Sequence, residues 1–245
     1  FDFENDFLTF ESNIRGFTNS IFKDMDSISK DIQLEKKVND LFIGEKVNFT
    51  EKRAALHVQN RDLENFGIES INKKLLQKIE GHAGSSKIKN ILVLGIGGSF
   101  EGPKLLLESL TNQKTFFRFE FITGSDPFEF KYKTKDIKSN ETLFIVSSKS
   151  FTTDETIISL KEAIKLSGKL DNFIAITANK EEAMKYAIPK DSIFQLDEEI
   201  GGRYSIWSFI ALPAYIEFKY GNSDIQNEYN DNGAPSIEKI EMFCM

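Results

Sequence analysis

A chain of 245 residues with 40% hydrophobic content can bury one large or two smaller cores. Its 31 basic and 38 acidic residues give a formal charge of -7, which excludes a broadly basic nucleic-acid or anionic-membrane surface; any anion site has to be built locally. A single cysteine, Cys244, excludes an intrachain disulfide framework and fits a reducing compartment. No apolar run reaches the roughly 20 residues that span a bilayer. The acidic opening Phe1-Asp2-Phe3-Glu4-Asn5-Asp6 is unlike a signal peptide. The expectation is a soluble, cytoplasmic protein with neither membrane nor nucleic acid as partner. Because the first residue is Phe1 rather than methionine, the start of a longer product is expected to be missing.

Residues 1–85 read as a helical N-terminal region without a clear strand, since Ile14, Phe17, Ile21 and Phe22, then Val38, Leu41 and Phe42, recur at helical spacing. Within it, Arg53, His57 and Arg61 fall at steps of four, which places them on one face of a helix that Thr50 could cap. His57 and His82 are the only histidines, so no metal site is expected, and His57 reads as a structural or interfacial group. The run Gly81-His82-Ala83-Gly84-Ser85-Ser86 is the best linker signal.

Residues 86–220 then alternate short apolar, β-branched runs with longer amphipathic ones. Strands are expected at Asn90–Leu94, Phe117–Ile122, Thr142–Val146, Phe173–Thr177 and Ile193–Leu196. Helices are expected at Pro103–Leu110, Pro127–Asp136, Thr153–Leu166, Lys180–Tyr186 and Arg203–Lys219. This pattern specifies an α/β fold, a doubly wound five-stranded parallel sheet preceded by the helical N-terminal region. Its ligand site is expected beyond the carboxyl ends of the strands, where the strand order reverses. Residues 221–245 form a polar, turn-rich tail.

Three segments at strand ends carry the chemistry. Ile91-Leu92-Val93-Leu94 opens into Gly95-Ile96-Gly97-Gly98-Ser99, a glycine turn at a helix start, where amides can face an anion. It lacks the Lys-Ser/Thr ending of a triphosphate loop and the third glycine of a dinucleotide fingerprint, so a monophosphate suits it best. A bare strand-to-helix turn, with Ser99 as N-cap, is the alternative. The run from Ser147 to Thr156 concentrates six hydroxyls and one ammonium: Ser148, Lys149, Ser150, Thr152 and Thr153 can together donate several hydrogen bonds to one phosphate. Thr152 with Glu155 also fits a capping box, which accounts for part of the run without a ligand. Finally, Gly201-Gly202-Arg203-Tyr204-Ser205-Ile206-Trp207-Ser208 puts a permanent cation behind paired glycines, with an ion pair to Glu198 or Glu199 as the plainer reading.

Taken in order and spacing, these three segments and the Thr50–Arg61 stretch resemble the glucose-6-phosphate isomerase family, also called phosphoglucose isomerase, over residues 48–208. The resemblance implies a sugar-isomerase domain. In it Ser148, Lys149, Ser150, Thr152 and Thr153 grip the phosphate, Gly98 and Ser99 line the sugar pocket, and Arg203 is the catalytic cation that stabilises the enediolate. It implies an aldose-ketose isomerisation of glucose 6-phosphate to fructose 6-phosphate through a cis-enediol, with no cofactor and a homodimer at full length. In the family the base, the ring-opening histidine and a further lysine lie beyond the arginine motif. The match fades after Lys219, so this chain is expected to be an N-terminal part that does not isomerise unaided. A non-catalytic sugar-phosphate-binding domain is the alternative.

Overall fold

The computed structural model describes residues 2–4, 9–11, 19–57, 79, 87–111 and 115–221, which fall in two compact units, Phe1–Leu56 and His57–Met245. In the first, β1 (Asp2–Glu4) pairs antiparallel with β2 (Thr9–Glu11), ahead of α1 (Asn19–Asp31) and α2 (Leu34–Phe42). Ile21 and Phe22 lie in α1, and Val38, Leu41 and Phe42 in α2, as their spacing predicts. The ribbon β1–β2 departs from the strand-free expectation; three-residue strands are too short to display a period of two. Ile14, Phe17, Arg61, the Gly81–Ser86 linker and the tail after Gly221 lie outside the described residues.

A second departure concerns Thr50 to His57, where the structure has turns and extended chain instead of helix. Asn48 and Arg53 form an antiparallel bridge. The Asn48 side chain accepts hydrogen bonds from Glu51 N (3.2 Å) and Thr50 Oγ1 (2.8 Å). An asparagine offering its oxygen to the following amides favours a turn over a helix.

The second unit holds a five-stranded parallel sheet in the order β4-β3-β5-β6-β7. Its strands are β3 (Asn90–Leu94), β4 (Arg118–Ile122), β5 (Thr142–Ser147), β6 (Phe173–Thr177) and β7 (Ile193–Gln195). Between and after them run α3 (Gly98–Thr111), α4 (Pro127–Thr134), α5 (Asp154–Ser167), α6 (Lys180–Met184) and α7 (Leu212–Tyr220). Local chemistry sets several ends: Asp126 accepts from Phe128 N ahead of Pro127, Asn179 accepts from Glu182 N, and Gly168 ends α5 at φ 68°.

Strand alternation splits the sheet residues between two cores. Leu92, Leu94, Phe144, Val146, Phe173 and Ala175 pack with Phe130 of α4, Ile157, Leu160 and Ala163 of α5, and Ala183 of α6. Ile91, Val93, Leu143, Ile145, Ile174 and Ile176 pack on the other face with Ile210, Leu212 and Ile216. All residues of β3, β5 and β6 are buried, as a sheet covered on both sides requires. The sheet is doubly wound, as expected.

Two helices differ from the sequence reading. α3 begins at Gly98 and carries Pro103 inside it; proline favours a first turn, which pointed to a later start. The single helix expected over Arg203–Lys219 is instead two 3-10 turns, Gly202–Trp207 and Phe209–Ala211, followed by α7. Ser208, extended at φ -118° and ψ -169°, interrupts it and caps Ile210 N with its hydroxyl. Helical periodicity alone does not reveal such a break. In α7, Glu217 is buried and accepts from Phe116 N (2.6 Å) and Phe117 N (3.1 Å), tying the entry of β4 to a helix 100 residues later.

Candidate functional site: three loops at the sheet's carboxyl edge

β3 is flanked by β4 on one side and β5 on the other, so successive connections depart in opposite directions and leave a crevice between the ends of β3 and β5. Leu94 pairs with Val146 in register, which sets Gly95 beside Ser147. A Cβ on Gly95 would lie 3.0 Å from the Ser147 carbonyl oxygen, so the two corners approach closely. Gly97 turns the chain at φ 54°, and its carbonyl accepts from Phe100 N (2.9 Å) and Glu101 N (2.8 Å), opening α3. Ser99 is therefore inside the first turn of α3 and is not its N-cap. Its side chain lines the crevice.

The corner after β5 carries two hydroxyl pairs. Ser148 Oγ lies 3.2 Å from Thr153 Oγ1 and accepts from Phe151 N at 3.2 Å. Ser150 Oγ accepts from Thr152 N (3.2 Å) and Thr152 Oγ1 (2.8 Å). Ser148 is buried, Thr153 half-buried, and Ser150 and Thr152 exposed. Thr153, not Thr152, stands at the N-cap of α5, without a side-chain cap bond, so the capping box with Glu155 is not formed. Phe151 adopts φ 56°, a conformation unfavourable for a bulky side chain, yet it is fully buried and packs against Tyr186, ring centroids 5.9 Å apart. Burial of its ring holds the corner in that shape, and no feature of the sequence announced it.

The third loop returns from β7, at the sheet edge, to the switch point. Its Gly202 carbonyl oxygen lies 2.0 Å from where a Cβ on Gly98 would stand, so the glycine corner and the arginine loop meet backbone to backbone. Ser205 Oγ donates to Gly202 O (2.6 Å) and Tyr204 N to Gly201 O (2.9 Å), fixing the residues on either side of Arg203. Arg203 itself is exposed and makes no ion pair among the described residues. His57 stacks on Tyr204, centroids 4.3 Å apart at 21°.

Lys149 joins two of these loops. Its ammonium donates to the carbonyls of Glu198 (2.5 Å) and Ile200 (2.9 Å), and with Ser99, Asp197, Gly202 and Ser205 it lines a cavity of ≈ 30 Å³. Acids are crowded here: a hydrogen bond with Asp197, then burial, raises the pKa of Glu199. Asp197 and the loop carbonyls are site features that motif reading passed over, because a backbone oxygen has no signature in sequence. The structure thus gathers Gly98, Ser99, Lys149 and Arg203 with the hydroxyls of Ser148, Ser150, Thr152 and Thr153 at one edge. Among the described residues no group of His, Cys, Asp and Glu could hold a metal ion, and no helix is long and apolar enough to cross a membrane.

Fold and site define an α/β domain of doubly wound type whose glycine, hydroxyl and arginine loops meet at the carboxyl edge of the sheet. The phosphoglucose isomerase family model matches residues 13–239, and the chain belongs to that family. It is 34% identical to a glucose-6-phosphate isomerase of Shewanella sediminis over 215 residues, 76% of this chain and 39% of the relative. It is 31% identical to that of Wigglesworthia glossinidia brevipalpis over 231 residues, 84% of this chain and 42% of the relative. The chain spans about two fifths of the length of these curated relatives. The fold matches a crystal structure of a glucose-6-phosphate isomerase from Chlamydia trachomatis with a TM-score of 0.60 at 22% identity, covering 81% of this chain and 42% of that one.

Proposed function

We propose that this chain is the sugar-phosphate-binding part of an aldose-ketose isomerase that interconverts glucose 6-phosphate and fructose 6-phosphate. The observation that carries the reading is the meeting of the three loops at the ends of β3 and β5. The Ser148, Ser150, Thr152 and Thr153 hydroxyls and the first amides of α5 form the phosphate cradle, and the positive end of the 14-residue α5 favours a dianion there. Gly98 and Ser99 border the sugar. Arg203 supplies a cation for the negative charge that develops as the proton moves between C1 and C2, a charge that exists fully only in the enediolate. Asp154 and Glu155, both exposed in the first turn of α5, stabilise the helix dipole in the unliganded protein. By the family resemblance, the base and the ring-opening groups belong to segments beyond the arginine motif. The substrate of this reaction is a soluble metabolite, and the proposed site of action is the cytoplasm.

Titration calorimetry of the 245-residue chain with fructose 6-phosphate tests this. The expected outcome is saturable binding that Ser150→Ala and Thr153→Ala each weaken by about tenfold, the loss of one hydrogen bond to a charged group. Binding indifferent to both substitutions overturns the cradle.

A further inference from the structure

We propose that the Lys149 side chain is a positioning group for the arginine loop and not a ligand of the phosphate. This rests on the site reading above but assigns one of its residues a different task. Lys149 is anchored at its base, where its carbonyl accepts from Ala178 N (3.0 Å) and Thr177 Oγ1 (3.1 Å) at the end of β6. From there its ammonium reaches over the crevice to the carbonyls of Glu198 and Ile200, at 2.5 and 2.9 Å. Both carbonyls belong to the stretch that leads from β7 into Gly201, Gly202 and Arg203. An ammonium has three donors in all, and two are committed here.

The surroundings favour this assignment electrostatically. Asp197 lines the same cavity as Lys149 and is followed by Glu198 and Glu199, so the loop that receives the ammonium is acidic and disfavours a dianion there. The hydroxyl corner, in contrast, is held by the Ser148–Thr153 and Ser150–Thr152 contacts and the buried Phe151 ring, without the ammonium. Downstream, only Gly201 and Gly202 separate Ile200 from Arg203, so the hold on the Glu198 and Ile200 carbonyls adds to the Ser205 and Tyr204 bonds that keep the arginine loop in place. Lys149 is a strut between the ends of β5 and β6 and the arginine loop. Its removal frees Arg203 while leaving the phosphate cradle in place.

The test uses Lys149→Met in the whole chain, with Lys149→Gln as substitute should the first not fold, and two readouts. In calorimetry, inorganic phosphate affinity is expected to stay within about twofold while fructose 6-phosphate affinity falls by about tenfold, because only the sugar reaches the arginine loop. In hydrogen-deuterium exchange, amides 198–203 are expected to exchange about tenfold faster and amides 148–153 unchanged, with Lys149→Arg restoring part of the protection. Equal loss of affinity for phosphate and sugar phosphate overturns the proposal, and so does unchanged exchange at 198–203. If the unsubstituted chain binds neither compound, the sugar-phosphate reading fails, and the exchange measurement still decides the strut.

Discussion

After β3 the chain turns by leaving side chains out; after β5 it turns by burying one. The first corner needs glycine at Gly97 for its φ of 54° and at Gly98 because Gly202 O occupies the space of a Cβ. The second reaches a similar left-handed angle with Phe151, whose ring is fully buried. A left-handed non-glycine residue costs roughly 1–2 kcal/mol, and burying a large side chain contributes roughly 1.5–3 kcal/mol, so the second corner is held by the core beneath it. The first admits another backbone. The second presents hydroxyls from a rigid base. The two corners thus divide the work: one makes room, the other makes contacts.

The difference can be broken most severely at Phe151. Phe151→Ala removes the anchor but keeps the unfavourable φ, and is expected to destabilise the protein by about 3–5 kcal/mol in chemical denaturation. Gly98→Ala attacks the opposite device. Its Cβ would stand 2.0 Å from Gly202 O, so the arginine loop must retreat; an overpacking cost of about 1–3 kcal/mol is expected, together with loss of fructose 6-phosphate affinity. Gly97→Ala meets open space and carries only the left-handed strain, about 1–2 kcal/mol, with the site otherwise preserved.

A third junction, at Phe116 and Phe117, uses a charge where the other two use shape. Burial raises the pKa of Glu217 while the two amide hydrogen bonds lower it, and burial prevails. Folding therefore favours the protonated form. The stabilisation is complete below the pKa of the unfolded chain and is lost as pH rises through the higher folded value. Glu217→Gln keeps an acceptor for the amides without the charge, so it should remove this loss: the Tm of the variant relative to the parent is expected to rise from acid to neutral pH, as thermal melts across that range would show. The smallest effect on stability is expected at Ser150→Ala, within about 0.5 kcal/mol for an exposed hydroxyl, so its effect on affinity reports binding alone.

The strand positions were legible because each is a short-range pattern: Asn90–Leu94 and Phe173–Thr177 coincide with β3 and β6, and the hydroxyl run sits where parallel strands place ligand-facing loops. The steps of four between Arg53, His57 and Arg61 and the helical pattern over 203–219 both point to helix, but residue spacing does not record the competing bonds of Asn48 and Ser208. Strand order, the closeness of Gly98 to Gly202, the reach of Lys149 to carbonyls 49 and 51 residues away and the link from Glu217 to Phe116 came only from the tertiary structure. The physical reason is the range of the interactions. Propensity, periodicity and turn chemistry act between near neighbours and are written residue by residue. Which loop presses on which is decided by two sheet faces burying their apolar side chains at once, and a backbone carbonyl, the partner in most of these contacts, is the same at every position of the chain.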